Sequence, residues 1–261
     1  PLSVATEGRP RLVDDRGREV LLRGANLNVL ADYHQADPDL VPVKAATDAD
    51  WDAMAANGFS VVRLLLNWSL LEPARGQLDG AYVAKIHEAV DAAEARGIYT
   101  VLDLHQDAWS KTLATPSSTV CGSGTERAIG WDGAPEWATF TDGASTCRPI
   151  GSREGAPAVQ AAFRYFYRNT GGVRDAYVAT VGALAREFAA EPAVAGIDLF
   201  NEPNQVFTPE ESAIRLTELV GDLVTKIRDA ESQDPAGFPH LLFVEPLLTF
   251  PLPGSMPVKR T

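Results

Sequence analysis

The chain of 261 residues is long enough to bury one large core, and 45% hydrophobic with 22% charged residues is typical of a folded globular domain. Its formal net charge of −12 argues against binding to nucleic-acid phosphates or anionic lipid head groups. No apolar run reaches the ~18 residues of a membrane span. The sequence therefore predicts no nucleic-acid partner and no integral membrane segment.

The N-terminal segment predicts a β-hairpin. Arg11–Val13 and Glu19–Leu22 are short apolar runs, and the Asp and Gly residues of Asp14–Gly17 are typical of the turn between them. The hairpin leads into the first strand of a larger sheet, predicted over Leu21–Asn26.

Helix and strand patterns alternate along the rest of the chain. Predicted helices cover Thr47–Asn57, Asp79–Arg96, Val173–Ala190 and Pro209–Asp229, and predicted strands cover Phe59–Leu66, Ile98–Leu104, Val194–Phe200 and His240–Leu248. The strands are nearly continuous apolar runs, as expected when helices cover one face and a barrel interior the other. This alternation predicts an α/β fold with a parallel sheet and crossover helices.

Residues 108–157 form a long insert after the third strand. Loops of this length are usually functional, and this one is expected at the C-terminal face of the sheet, where barrel active sites lie. Cys121 and Cys147 are the only cysteines, and they lack the further Cys or His residues of a zinc site. A disulfide or two separate thiols are the alternatives. We favour the disulfide, which indicates an oxidising and therefore secreted or extracellular location.

Polar residues stand at three predicted strand ends, the position from which barrel enzymes present catalytic groups. They are Arg63 on the second strand, Asp103, His105 and Asp107 on the third, and Asn201 with Glu202 after the fourth. Glycosidic cleavage needs a carboxylic acid to protonate the leaving oxygen, and an amide can bind the sugar 2-hydroxyl. A structural turn before Pro203 is the alternative explanation of Glu202, but the other two strand ends favour catalysis.

These motifs resemble glycoside hydrolase family 5, whose members are retaining (β/α)8 TIM barrels with Asn-Glu-Pro at the end of strand four. The resemblance covers nearly the whole chain and rests on Gly24–Asn26, Gly58–Arg63, Leu102–Asp107 and Asn201–Pro203. Ala108–Lys111 and Gly133–Trp137 are similar to the endoglycoceramidase group of that family. The resemblance implies a retaining β-glycoside hydrolase that needs no cofactor and cleaves the glycan–ceramide bond of a glycosphingolipid.

Carried over by position, the resemblance also implies roles for single residues. Glu202 is the acid/base, Asn201 contacts the sugar 2-hydroxyl, and Arg63 orients the nucleophilic carboxylate. His105 binds sugar in the −1 subsite, and Asp103 and Asp107 bind sugar hydroxyls or hold His105. Trp137 is a candidate for stacking on a sugar ring, whereas Trp68 and Trp131 are expected as core or rim aromatics. A purely structural, hydrogen-bonded histidine is the alternative for His105.

The chain departs from the family pattern at the nucleophile. The family has a nucleophilic Glu at the end of strand seven, and no residue here matches it because only about five strands are predicted. Glu245, in Phe243–Pro246, imitates the Asn-Glu-Pro motif but falls on strand five, so it is not assigned as nucleophile. The sequence thus predicts one catalytic domain over 1–261, a C-terminally truncated barrel that is inactive when produced alone.

Alternative functions stay open. The substrate, a carbohydrate or a glycolipid, could instead be a polysaccharide cut by a cellulase-like endoglycosidase. A chain without its nucleophile could also be a catalytically dead carbohydrate-binding protein. Metal-assisted chemistry at His105 is not favoured, because no further His stands at the other strand ends, so no metal is predicted.

Overall fold

The computed structural model describes residues 1–32 and 43–248. Its N-terminal segment forms an antiparallel pair, β1 (Ser3–Ala5) with β2 (Arg11–Val13). The strand Arg11–Val13 was predicted, but with Glu19–Leu22 as its partner. That second arm makes only one bridge, between Glu19 and Val13. Leu2, next to β1, is buried in a small apolar cluster at the sheet, against which Val20 and Leu22 of the second arm also pack.

The centre of the structure is a parallel sheet. Its strands are β3 (Gly24–Leu27), β4 (Val61–Asn67), β5 (Tyr99–His105), β8 (Val194–Asp198) and β9 (Leu241–Phe243). Among the described residues the five-stranded sheet has the order β3-β4-β5-β8-β9. Sequential strands are therefore neighbours, and their C-terminal ends meet at one edge. This confirms the predicted α/β fold and a partial barrel with its first five strands.

The helices lie where the sequence pattern changes from continuous apolar runs to amphipathic segments. They are α1 (Asp48–Ala56), α2 (Trp68–Leu71), α3 (Gly80–Glu94), α4 (Pro157–Tyr167), α5 (Val173–Glu187) and α6 (Pro209–Ser232). The side chains of Thr47, Asp79 and Thr208 accept hydrogen bonds from backbone N–H groups. They therefore cap the N-termini of α1, α3 and α6. Among the described residues, no helix is both long and apolar enough to cross a membrane.

Strand alternation separates the two faces of the sheet. Val62, Leu64 and Leu66 of β4 pack into the main core beneath the helices. Arg63 lies between them in the sequence, so its side chain is directed to the opposite face, the barrel interior. Asp103 of β5 pairs in register with Asp198 of β8, which places their carboxylates side by side. Side-chain alternation along β4, β5 and β8 therefore directs charged groups from three neighbouring strands into the barrel interior.

Residues between β5 and α4 contain little regular structure. They form three-residue 3-10 helices at Lys111–Leu113 and Glu136–Ala138, and a short pair, β6 (Thr125–Glu126) with β7 (Arg148–Pro149). Cys121 and Cys147 are disulfide-bonded, with Cα atoms 5.7 Å apart, which confirms the predicted bond. The assignment of 108–157 as an insert within a single catalytic domain stays a prediction.

Candidate active site

Arg63 is the hub of a charged cluster at the C-terminal edge of the sheet. Its guanidinium Nη2 lies 2.8 Å from Asp198 Oδ2, 2.7 Å from Glu245 Oε1 and 3.1 Å from Asp103 Oδ2. The same nitrogen donates to Asn201 Oδ1 at 2.8 Å. Burial disfavours its charge, but the carboxylates outweigh that effect and raise the pKa of Arg63 above its ordinary value. Arg63 thus joins β4, β5, β8 and the segment after β9.

His105 is held between two carboxylates. Its Nδ1 lies 2.7 Å from Asp103 Oδ2, and its Nε2 lies 3.5 Å from Asp107 Oδ2. Burial opposes a charged ring, but hydrogen bonds to Asp103 and Asp107 outweigh it and raise the pKa of His105 to about 10. At neutral pH the ring is an imidazolium that donates from both nitrogens.

The turn after β8 holds Asn201 and Glu202 in a constrained conformation. Glu202 has φ of 42°, in the left-handed region that a glutamate rarely adopts. Its backbone N–H donates to Glu245 Oε2 at 2.8 Å, and Gln106 Nε2 donates to the Asn201 carbonyl at 2.8 Å. Asn201 Nδ2 returns a bond to the Gln106 carbonyl at 2.9 Å. These contacts offset the backbone strain and fix the direction of the Glu202 side chain.

The Glu202 carboxyl group contacts the insert. Arg153 Nη2 lies 3.2 Å from Glu202 Oε2 and 2.5 Å from Asp107 Oδ1. Burial raises the pKa of Glu202. The carboxylates of Asp107, Glu154 and Glu245 raise it further, whereas Arg153 opposes the rise. An acid whose pKa is raised keeps more of its proton near neutral pH, which suits it to donate that proton.

A second carboxyl group with a raised pKa belongs to Asp198, in strand β8 of the sheet. Burial raises the pKa of Asp198 to about 7, with Asp103 and Glu245 adding to the rise and Arg63 opposing it. A carboxyl group with this pKa is partly protonated near neutral pH.

Asp132 adds a buried carboxylate beside His105. It is fully buried, neither carboxylate oxygen has a hydrogen-bond partner within the described residues, and burial raises its pKa to about 6. Ligand atoms of His105, Asp107 and Asp132 all lie within 4.8 Å of one another, so these groups could hold a metal ion. His105 would first have to lose its Nε2 proton, which the neighbouring carboxylates oppose.

The predicted site residues fall into two groups. The structure brings together Arg63, Asp103, His105, Asp107, Asn201 and Glu202. It places Trp137 elsewhere: the indole Nε1 donates to the Glu72 carbonyl at 3.1 Å, and the ring lies edge-on to Trp68. Trp68 itself is 3% exposed, as expected for a core aromatic.

A cavity opens beside the acid. It has a volume of about 360 Å³ and is lined by Trp131, Arg148, Gly151, Arg153, Glu154, Glu202 and Leu248. Trp131 thus stands at the rim next to Glu202, where it was expected as a rim or core aromatic. A larger cavity of about 870 Å³ lies between α1 and α3 and contains none of the cluster residues. We therefore locate the candidate site by the convergence of charged side chains and not by the size of the cavity.

Sequence patterns alone do not identify several residues of the site. Asp198 was counted within an apolar strand, although a charged residue in a buried run is itself a signal of function. Glu245 was noted at its strand end but not assigned, and its contacts with Arg63 and Glu202 place it in the cluster. Arg153, Glu154 and Asp132 lie in the insert, where no periodic pattern indicates which residues face the sheet.

Comparison with known proteins gives a consistent set of matches. The sequence profile described as Cellulase (glycosyl hydrolase family 5) matches residues 13–246. Endoglycoceramidase I of Rhodococcus hoagii (strain 103S) is 35% identical over 209 residues, which is 78% of this chain and 37% of the relative. The chain thus spans well under half of that relative.

Solved structures agree with these matches. The crystal structure of an endogalactoceramidase matches with a TM-score of 0.89 and 48% identity, covering 95% of this chain and 53% of that chain. Endo-glycoceramidase II from Rhodococcus sp., in complex with the ganglioside GM3, matches with a TM-score of 0.68 and 30% identity, over 90% of this chain and 51% of that one. A lactosyl-enzyme intermediate of the same Rhodococcus protein matches with a TM-score of 0.67 and 30% identity, over 90% of this chain and 51% of that chain.

Proposed function

The chain belongs to glycosyl hydrolase family 5, and from that premise we propose that the complete protein is a retaining β-glycosidase with Glu202 as its acid/base. The observation that carries this proposal is the environment of Glu202. A strand-end carboxyl group is fixed by backbone contacts, its pKa is raised by burial, and it stands beside a cluster built on Arg63. These are the properties that general acid catalysis requires.

The proposed reaction is a double displacement. In the first step a nucleophilic carboxylate attacks the anomeric carbon, the glycosidic bond breaks, and protonated Glu202 gives its proton to the leaving oxygen. In the second step ionised Glu202 takes a proton from water, the water oxygen attacks the anomeric carbon, and the carboxylate leaves. The lactosyl-enzyme intermediate described for the Rhodococcus relative is the kind of species that this route forms. The family pattern assigns the nucleophile to the end of a seventh strand, and the parallel sheet of the described residues has five strands.

We assign the buried cluster to the sugar in the −1 subsite. Arg63 donates to Asn201 Oδ1, and the Asn201 amide nitrogen donates to the Gln106 carbonyl and lies 3.4 Å from His105 Nε2. Because a protonated Nε2 cannot accept a hydrogen bond, the second amide hydrogen would bind a sugar 2-hydroxyl. His105 would contribute the positive charge of its imidazolium to this subsite, while Asp103 fixes its ring. Arg63 would also contact the nucleophile, because its guanidinium already gathers carboxylates from neighbouring strands.

We propose a glycosphingolipid as the substrate, cleaved between glycan and ceramide, and an extracellular location. The support is the set of relatives named endoglycoceramidase and endogalactoceramidase, one of them in complex with GM3, together with the disulfide. The rival substrate is a polysaccharide, which the description of the family profile as Cellulase favours. Incubating the complete protein with galactosylceramide, lactosylceramide and soluble cellulose separates the two. Release of sugar from cellulose alone would contradict the glycolipid assignment.

Substitution of Glu202 by Gln tests the acid/base assignment. Because acid catalysis contributes about 10²–10⁴-fold to turnover, Glu202→Gln in the complete protein should lower kcat on an unactivated β-glycoside by this factor. The thermal midpoint should stay close to that of the wild type, since the two side chains have the same shape.

The matched control is Glu210→Gln, which removes an exposed carboxylate from the first turn of α6. It should leave kcat unchanged. An undiminished rate in Glu202→Gln would refute the assignment, and absence of hydrolysis by the wild-type protein would favour a carbohydrate-binding protein instead.

A further inference from the structure

Arg153 extends from the insert to the proposed acid/base. It lies four residues before the start of α4 at Pro157, and its guanidinium contacts two carboxylates of the site, Asp107 and Glu202, through the same Nη2 atom. Its Nε donates to Glu154 Oε1, and the guanidinium carbon lies 5.2 Å from the centre of the Trp131 ring. Three ion pairs and one cation–π contact therefore hold this cation beside Glu202.

The support of Arg153 is itself fixed. Glu154 is 3% exposed, and its backbone carbonyl accepts bonds from Gln160 Nε2 at 2.8 Å and Asn204 Nδ2 at 3.5 Å. Gln160 belongs to α4, and Asn204 follows Glu202 in the turn after β8. The insert, α4 and the catalytic turn are thus joined at the base of the arginine. A cation held in this way stays close to Glu202 and is not a freely moving surface side chain.

We propose that Arg153 is a positioning residue for the acid/base: it holds the Glu202 carboxyl group beside Asp107 and limits how tightly that group retains its proton. This inference rests on the proposed function. Without Arg153, Glu202 would lose the cation that opposes burial and the carboxylates of Asp107, Glu154 and Glu245. Arg148 lines the same cavity but is paired with Glu126. An acid/base must give its proton in one step and regain one in the next, so neither form can be stabilised too strongly.

The chemical consequence differs between the two steps. Loss of the cation favours protonated Glu202, which is the form needed to release the aglycone. It disfavours the ionised form, which is needed to activate water and break the glycosyl–enzyme bond. A merely structural arginine would affect both steps equally through folding. The distinguishing observation is therefore a change in pH dependence together with slower release of the glycosyl group.

The test compares Arg153→Met, Arg153→Lys and the wild type in the complete protein. Methionine keeps an apolar stem for packing on Trp131 but removes the charge, and lysine keeps the charge. For the Met variant the basic limb of the kcat/KM profile, which reports the acid of the free enzyme, should move up by about one pH unit. On a substrate with a good leaving group its kcat at pH 7 should fall, with a burst of released aglycone. The Lys variant should keep a limb close to that of the wild type.

The control is Arg168→Met, which also removes an arginine stacked on an aromatic ring, here Phe207, but outside the carboxylate cluster. Its pH profile should match the wild type. If Arg153→Met does not fold, Arg153→Gln gives the same comparison of neutral with charged side chains. An unmoved basic limb in the folded neutral variant would overturn the inference, and so would equal shifts in the neutral variant and the Lys variant. If Glu202→Gln keeps full activity, the proposed function fails first, which separates the two outcomes.

Discussion

At the scale of single residues, the site is built by long-range contacts around a strained glutamate. The left-handed φ of Glu202 is stabilised by Glu245 from the segment after β9 and by Gln106 from the end of β5. Strain of this kind persists only where surrounding contacts determine the conformation, and it is common at active sites. The direction of the Glu202 side chain is thus set by residues about 43 and 96 positions away in sequence.

The charge of His105 gives a prediction about stability and pH. Its pKa is about 10 in the folded chain and about 6.5 in an unfolded one, so the folded state holds an extra proton between these values. The resulting stabilisation is complete below pH 6.5 and is lost as the pH rises through about 10. The free energy of unfolding of the complete protein should therefore fall between pH 7.5 and 9.5, by up to about 1.4 kcal/mol per pH unit.

Urea denaturation at about pH 7.5 and about pH 9.5 measures how the free energy of unfolding changes with pH. His105→Asn should flatten it, because the substituted side chain does not titrate. His87→Asn, at a half-exposed histidine on α3 that pairs with Glu187, serves as the control and should keep the wild-type slope. An equal slope in wild type and His105→Asn would contradict the assignment of a charged imidazolium at this position.

Sequence patterns predicted part of this site and could not predict the rest. Asn201, Glu202, Asp103 and His105 stand at the ends of apolar runs, and parallel strands bring such ends together. Glu245 also stands at a strand end, but its hydrogen bond to the Glu202 backbone depends on the turn geometry, which no local pattern encodes. Arg153 is harder still, because its approach to Glu202 depends on how a loop without periodicity folds back over the sheet.

At the scale of elements, prediction succeeded where burial dominates. The strands of the sheet are continuous apolar runs, and α1, α3 and α6 begin at residues whose side chains cap them. The sequence patterns predict neither α2, a single turn of four residues, nor the longer α4. Ala156 at its N-cap provides no side-chain hydrogen bond, and the residues before it resemble a loop. Its buried Phe163 and Phe166 pack around Trp109, so tertiary contacts stabilise the helix more than its end signals do.

The disulfide gives a prediction for the insert. Cys121 and Cys147 are separated by 26 positions, and closing a loop of this size stabilises a fold by about 3 kcal/mol in the chain-entropy model. The double substitution Cys121→Ser with Cys147→Ser should lower the stability of the complete protein by up to this amount. Hydrogen exchange should rise in residues 115–150 and stay unchanged in α3 and α5, because the bond lies within the insert.

Thermal unfolding and exchange mass spectrometry measure both effects. The reduced wild-type protein serves as the control, since it loses the same bond without a change of sequence. Equal exchange across the insert in oxidised, reduced and substituted protein would show that the disulfide contributes nothing to its order.

At the scale of the whole molecule, the described sheet gathers its polar groups at one edge. Five parallel strands with β3 and β9 at the outside present their C-terminal ends together, and the insert adds Arg153 and Asp132 above them. The negative charge of the chain, −12, is compatible with a neutral glycan head group. Fold and relatives therefore agree on glycosyl hydrolase family 5 and its barrel architecture, and the fold follows from the sequence far more directly than the substrate does.

The central claim is that Glu202 is the acid/base of a retaining enzyme. The most direct measurement uses Glu202→Ala in the complete protein with a dinitrophenyl β-lactoside, which needs no acid assistance to form the glycosyl enzyme. Without a base, hydrolysis of that intermediate should be slow, and added azide should restore turnover and yield the β-lactosyl azide. A variant that turns over at the wild-type rate without azide, or an azide product of α configuration, would contradict the account.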